Sequence, residues 1–164
     1  MGKNKLLLSF SGGRSSAYMV YNILNSDYYN ENFEFKIIFA NTGKEHTETL
    51  NFVHQCEKWF KKEIIWLEAK HLNENALPFS KKGWKVKYQL VNFKNASRNG
   101  EPFEEMCSVI GIPCSSAPFC SDQLKRKPIE AYLKDIGWKN YYKAIGIQSD
   151  ELDRMNENFK KKKY

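Results

Sequence analysis

Apolar residues fall along this chain in short runs of two kinds, strand-length blocks and stretches with helical spacing, separated by polar and glycine-bearing junctions. Lys5–Phe10 is a strand-length block ended by Ser-Gly-Gly, and Ser15–Leu24 continues with helical spacing. The block Phe35–Ala40 precedes a helix-like segment, Thr47–Lys62, in which Leu50, Val53, Cys56 or Glu57, and Phe60 recur on one face. Glu63–Leu67 is the next strand block. This βαβαβ order predicts an α/β fold built on a parallel sheet with right-handed crossovers.

The period is lost between His71 and Glu105, a stretch rich in Asn, Lys and aromatics. We read it as an irregular insertion after strand 3, with room for a short hairpin, lying over an edge or mouth of the sheet. Beyond the cysteine-bearing segment, Lys127–Ile136 is helix-like, with Pro128 in its first turn and Gly137 placed to end it, and Tyr141–Ile147 is the fourth strand candidate. The organisation expected is a single nucleotide-binding domain over residues 1–155, with residues 71–105 as its insertion and 156–164 as a basic tail.

Length and composition set limits. At 164 residues, with 41% hydrophobic and 15% aromatic content, the chain can build one full core. No apolar run approaches the roughly 18 residues of a membrane span, so a soluble cytoplasmic protein is expected. The net charge is +7; removing the four lysines Lys160–Lys163 leaves +3, a bias that fits either solubility or a polyanionic partner.

The junction "SFSGGRSS" places two glycines and several hydroxyls between a strand and a helix, where unpaired N–H groups and the positive end of a helix dipole meet. Such a junction is an anion site or a plain structural turn. Neither the Gly-Lys-Ser/Thr phosphate loop nor the G-x-G-x-x-G dinucleotide spacing is present.

"SFSGGRSS" resembles the pyrophosphate loop, S-G-G-x-D-S in its fullest form, of the adenine nucleotide α-hydrolase superfamily, in its phosphoadenosine-phosphosulfate reductase-like, PP-loop ATP pyrophosphatase branch. Three more segments resemble the branch in order: "FANTGKEHTETLNFV" at 39–53, "FCSDQLKRKPIEAYL" at 119–133 and "AIGIQSDELDRM" at 144–155. The resemblance implies a Rossmann-like, doubly wound, mostly parallel sheet with helices on both faces and an adenine nucleotide across the carboxyl ends of the strands. It implies that Ser9, Ser11, Gly12, Gly13, Arg14, Ser15 and Ser16 cradle phosphates. Phe39, Ala40, Asn41, Thr42 and Gly43 would line the adenosine, with Gly146 and Gln148 near it. Arg14, Ser15, Lys125, Asp150 and Arg154 are the candidate catalytic residues, Lys125 and Arg154 as cations and Asp150 with Glu151 to bind Mg²⁺ or orient a polar group. His46, within the second segment, would face the nucleotide, whereas His54 and His71 read as surface or helix-face residues.

Three departures matter. Ser15 stands where the fullest loop motif has aspartate, and Gln148 where the last segment has arginine. The reductases' C-terminal Cys-Gly and His segment has no counterpart, Cys120 being the last cysteine, so full reduction of the sulfonucleotide is not expected. Cys107, Cys114 and Cys120 admit three readings: packed thiols, a redox pair, or ligands of zinc or an iron–sulfur cluster with Cys56 or a histidine as a fourth ligand. The expected activity is cleavage or displacement at the α-phosphate of ATP or a related nucleotide, with Mg²⁺, to adenylate or sulfurate a nucleic-acid or protein acceptor. The alternatives are a non-catalytic nucleotide-binding or sequestering module or subunit of a complex, and a nucleic-acid sulfur-modification protein; a homo-oligomer is compatible with each. The sulfur-modification reading would use Lys81, Lys82, Lys85 and Lys87 interleaved with Trp84, Tyr88 and Phe93.

Overall fold

The first strand, β1 (Asn4–Ser9), lies in the middle of a five-stranded sheet. The fold is taken from a computed structural model, which describes residues 2–73, 84–116 and 118–147. After β1 come α1 (Arg14–Leu24), α2 (Asp27–Asn32), β2 (Phe33–Asn41), α3 (Thr47–Phe60), β3 (Ile64–Asn73), β4 (Trp84–Val91) and α4 (Glu101–Ile110). A π-helical turn, Asp122–Arg126, then leads into α5 (Lys127–Asp135) and β5 (Tyr142–Ile145). The strand order is β4-β3-β2-β1-β5, with β4 antiparallel and the other pairings parallel.

Alternation within β1 makes the sheet doubly wound. Leu6 and Leu8 point to one face, where they pack with Val20 and Ile23 of α1 and Leu50, Val53 and Cys56 of α3. Leu7 points to the other, against Ile129 and Leu133 of α5 and Trp138. Burying each such leucine is worth about 1.5–3 kcal/mol, and a one-residue slip would exchange the side chains of the two covered faces and mismatch both cores. A third cluster, Ala69, Met106 and Leu124, seats α4 and the π-helical turn on the far end of β3. Among the described residues no helix is long and apolar enough to cross a membrane.

The expected fold class holds, with its elements redrawn. Segment 71–105, read as an irregular insertion, supplies the end of β3, all of β4 and the start of α4. Its period was hidden because β4 is an edge strand: Val86 and Tyr88 pack inward against the Met106 and Leu133 clusters while Lys85 and Lys87 face solvent, a placement that blunts an open edge. Tyr88 meets Tyr132 edge-on at 5.3 Å, and Phe93 stacks on His54 at 4.4 Å with Arg98 over it at 5.2 Å. These two aromatics are thus engaged within the protein rather than displayed to a nucleic acid; Lys81 and Lys82 lie outside the described residues. The fourth strand candidate is the fifth strand, trimmed to Tyr142–Ile145.

Candidate functional site

β1 ends at the point where the strand order reverses, β2 lying on one side of it and β5 on the other. Ligands of open α/β sheets bind at such switch points, outside the carboxyl ends of the strands. The chain leaves β1 through Phe10, whose N–H donates to Ile38 O at 2.9 Å, and turns through Ser11, Gly12 and Gly13 into α1. Gly13 is the N-cap residue of α1; no side chain caps that end and no acidic residue occupies the first turn. The N–H groups of the first turn are therefore open to a ligand anion, at the positive end of an 11-residue helix.

The two glycines do different work. Gly12 has φ +79, and a Cβ there would lie 2.7 Å from Thr49 Cγ2, 3.1 Å from Val53 Cγ2 and 3.2 Å from Phe39 Cε2, so only a glycine lets the loop press against α3 and β2. Gly13 has an extended backbone (φ −99, ψ 162), and a Cβ there would meet nothing nearer than Ser11 Oγ at 3.6 Å. Across the switch point, a Cβ on Gly146 would come within 2.8 Å of Ser16 Cα and 3.0 Å of Ser16 N, so the segment after β5 is laid directly against the first turn of α1.

Of the loop hydroxyls expected at phosphate, Ser16 is spent inside the loop. Buried, it donates from Oγ to Gly13 O at 2.9 Å and accepts from Ser11 N at 3.2 Å and Ser11 Oγ at 3.0 Å. It fixes the shape of the turn, and Ser11 shares that bond. Ser9 and Ser15 are half-buried, and Arg14 is exposed and makes no hydrogen bond or ion pair among the described residues. A cleft of about 360 Å³ opens beside the loop, bounded by Gly12, Gly13 and Arg14 on one side and by Glu48, Thr49, Phe52 and Gln55 of α3 on the other.

The end of β2 is built differently from the expectation for an adenosine lining. Phe39 is buried edge-on against Trp66 at 5.0 Å, and Ala40 is buried on the opposite face of the sheet. Asn41 is fully buried: its Nδ2 donates to Glu68 Oε1 at 2.7 Å and to Ser97 O at 2.8 Å, and its Oδ1 accepts from Gly43 N at 3.2 Å. Glu68, also at 0% exposure, accepts in addition from Ser97 N at 2.6 Å, Ser97 Oγ at 2.9 Å and Gln89 Nε2 at 2.9 Å. These four donor groups satisfy a buried carboxylate without a cation and clamp the Thr42–Gly43 turn to loop 92–100. What Phe39, Ala40 and Asn41 offer a ligand is therefore main chain.

Above this clamp, Glu45 Oε1 accepts from Thr42 Oγ1 at 3.1 Å and pairs with Lys125 Nζ at 3.3 Å, bringing the Leu-Lys segment to the Thr-Gly turn. Lys125 sits in the π-helical turn, an interruption frequent at functional sites. Lys44 Nζ donates to Asn99 O at 3.0 Å and pairs with Glu104. His46 is the N-cap of α3, its Nδ1 accepting from Glu48 N at 3.2 Å, so that nitrogen is committed to the helix end. Gln148, Asp150 and Arg154 lie outside the described residues, as does Glu151.

The cysteines do not gather into one group, although Cys107 and Cys120 are neighbours. Among the described residues none of the four is in a disulfide, and no three His, Cys, Asp or Glu side chains form a group able to hold a metal. Cys56 is core, and burial pushes its thiol up to about 11. Cys107 and Cys120 border the Met106 cluster, burial and then the neighbouring Glu104 and Cys120 raising the Cys107 thiol, and Cys114 is exposed. The donor set described here fits neither zinc nor an iron–sulfur cluster, and the carboxylates expected for Mg²⁺, Asp150 and Glu151, lie outside the described residues. His71, expected at a surface, is buried in β3 with neither ring nitrogen hydrogen-bonded; burial lowers its pKa, Glu105 opposing and Lys127 reinforcing the shift.

Sequence reasoning missed Glu45 and Glu68, which hold the turn, and the Thr49, Phe52 and Gln55 face of α3. That face was legible as a second ridge at i, i+3 and i+6 beside the apolar one.

The phosphoadenosine phosphosulfate reductase domain model matches residues 5–97, which carry β1 through β4 with the glycine loop and the Glu68 clamp. Over 150 residues the chain is 31% identical to the uncharacterized nin region protein ORF290 of Escherichia phage lambda, covering 91% of this chain and half of that protein's length. No solved structure matches the chain significantly. With more than half of the chain inside the family model, and the loop and sheet order in place, this protein belongs to the phosphoadenosine phosphosulfate reductase domain family.

Proposed function

We propose that the chain binds ATP or a related adenine nucleotide with its phosphates on the Ser11–Ser16 loop, and cleaves or displaces at the α-phosphate to adenylate or sulfurate an acceptor. The observation that carries this reading is the uncapped first turn of α1 set at the switch point beside a cleft. Charge that builds on the phosphate oxygens during displacement would be met by the backbone N–H groups of the first turn, by the Arg14 guanidinium and by Lys125. Fixed donors of this kind cost no reorganisation when the charge develops, which is why they favour the transition state over the bound ground state.

The loop contains no carboxylate, Ser15 standing in the motif's aspartate position, and this favours a second reading in which the nucleotide is held without turnover. Two measurements separate the readings. Calorimetric titration with ATP reports the cradle, and release of pyrophosphate or AMP on incubation with Mg-ATP reports the chemistry. For the cradle, Gly13→Ala is expected to keep wild-type affinity, because the added methyl has room. Gly13→Asp puts a carboxylate on the phosphate loop; unit charges about 5 Å apart repel by about 3 kcal/mol at an effective dielectric near 20, and solvent at this exposed position leaves an expected loss of at least about 10-fold. Equal ATP affinity for Gly13→Asp and wild type would sink the assignment.

A further inference from the structure

The glycine-loop cleft continues down the outer surface between α1 and α3 into a second, larger groove of about 580 Å³ that the nucleotide reading does not use. Arg14 and Phe52 line both cavities, and below them the groove is walled by Tyr18 and Tyr21 of α1 and Trp59 and Phe60 of α3. Three of these rings are largely in solvent: Trp59 at 78%, Tyr18 at 70% and Tyr21 at 54% exposure. Exposed aromatics converging on one groove mark an interaction surface.

Charge says what covers it. No carboxylate lines the groove; Arg14 stands at its upper end, and the exposed lysines Lys58 and Lys61 are the chain neighbours of Trp59 and Phe60, which wall its lower end. The acids nearest in sequence are turned elsewhere, Glu57 accepting from Ile64 N and Glu63 facing Tyr132. A second copy of this chain, docked on the same patch by two-fold symmetry, would bring like charges together, on a protein already at +7. A lipid tail or an apolar peptide would need the rings but not the cations, and an acidic peptide would meet the cations without flat faces to stack on the rings. A strand with flat faces and a negative backbone uses both. Arg14 to Tyr21 spans about 10 Å at 1.5 Å per residue, room for two to three stacked nucleotides.

We infer that the α1–α3 groove binds single-stranded nucleic acid, bases stacked on Tyr18, Tyr21 and Trp59 and phosphates paired with Arg14 and the lysines at the end of α3. Arg14 is shared with the nucleotide loop; the inference rests on the rings of Tyr18, Tyr21 and Trp59 and the neighbouring lysines, which the loop does not use, and stands whether or not the loop turns over a nucleotide.

The test is fluorescence anisotropy of a labelled 12-nucleotide oligothymidylate with the full chain, over a salt series. Wild type is expected to bind with an affinity that falls as salt rises. Trp59→Ala with Tyr18→Ala is expected to weaken binding about 10-fold or more, while Trp59→Phe, which keeps a stacking ring, holds within about 3-fold of wild type. Both positions are solvent-exposed, and an unchanged melting temperature verifies the fold of each variant. The inference falls if wild type does not bind the oligonucleotide, or if the double alanine variant binds as wild type does, which would place binding on other lysines. It also falls if size-exclusion with light scattering shows a dimer that the same two substitutions dissociate, since the groove would then be a self-interface.

Discussion

The division of labour between the two loop glycines can be measured. At Gly12 an alanine would have to hold φ near +79, which costs an L-residue about 1–2 kcal/mol. Its methyl would also press on Thr49, Val53 and Phe39 at 2.7, 3.1 and 3.2 Å. Val53 and Phe39 are fully buried core residues, so overpacking adds about 1–3 kcal/mol. Gly12→Ala should therefore destabilise by about 2–5 kcal/mol, a fall of roughly 5–20 °C in melting temperature for a domain of this size. Gly13→Ala should be neutral or gain about 0.4–1 kcal/mol, because the native backbone is already accessible to alanine and the unfolded chain loses freedom. Urea unfolding of the two variants, fitted with a common m-value, gives the difference directly. If Gly12→Ala is no less stable than Gly13→Ala, the loop is not pressed against α3 as described, and the cleft geometry built on it fails.

Two further outcomes follow from buried polar groups. Glu68→Gln turns one acceptor oxygen into an amide facing the donors of Asn41, Ser97 and Gln89, and should cost about 1–3 kcal/mol, with faster hydrogen exchange at the Ser97 N–H; a melting temperature within 1 °C or so of wild type would show that the clamp is dispensable. His71 carries a folded-state pKa below its ordinary value near 6.5, so below about pH 6.5 the unfolded state binds more protons than the folded one and stability falls as pH drops. His71→Phe should flatten that part of the stability profile between about pH 7.5 and pH 5.5, and an unchanged slope would mean that the ring is not buried neutral.

How much of this was readable before any fold was seen differs from element to element. β1, β2 and the start of β3 were legible because strands covered on both faces are continuous apolar blocks, and α1 and α3 because one face of each is apolar at helical spacing. β4 was not, since an edge strand packed on one side against helices carries lysines on the other and has no block to show. α2, with the sequence DYYNEN, has little intrinsic helical preference and is held by ring contacts of Tyr28 and Tyr29 with Phe33. α4 begins at a glycine with φ +106 and a proline, which read as loop residues until Met106 is seen buried against Ala69 and Leu124.

The sequence by itself determined the α/β class, the glycine loop at a strand-to-helix junction and the order of four motif segments, because each of these is a local pattern or a string of neighbours. Tertiary structure decided which residues those motifs bring together and which side chains remain free to act. It bonded Ser16 inside its own loop, sealed Asn41 onto Glu68 and paired Lys125 with Glu45 across 80 positions. It also left the rings of Tyr18 and Trp59 exposed on adjacent helices. Such outcomes depend on distances between residues far apart in the chain, and burial turns a polar side chain from a ligand donor into a structural bond wherever a partner lies within reach.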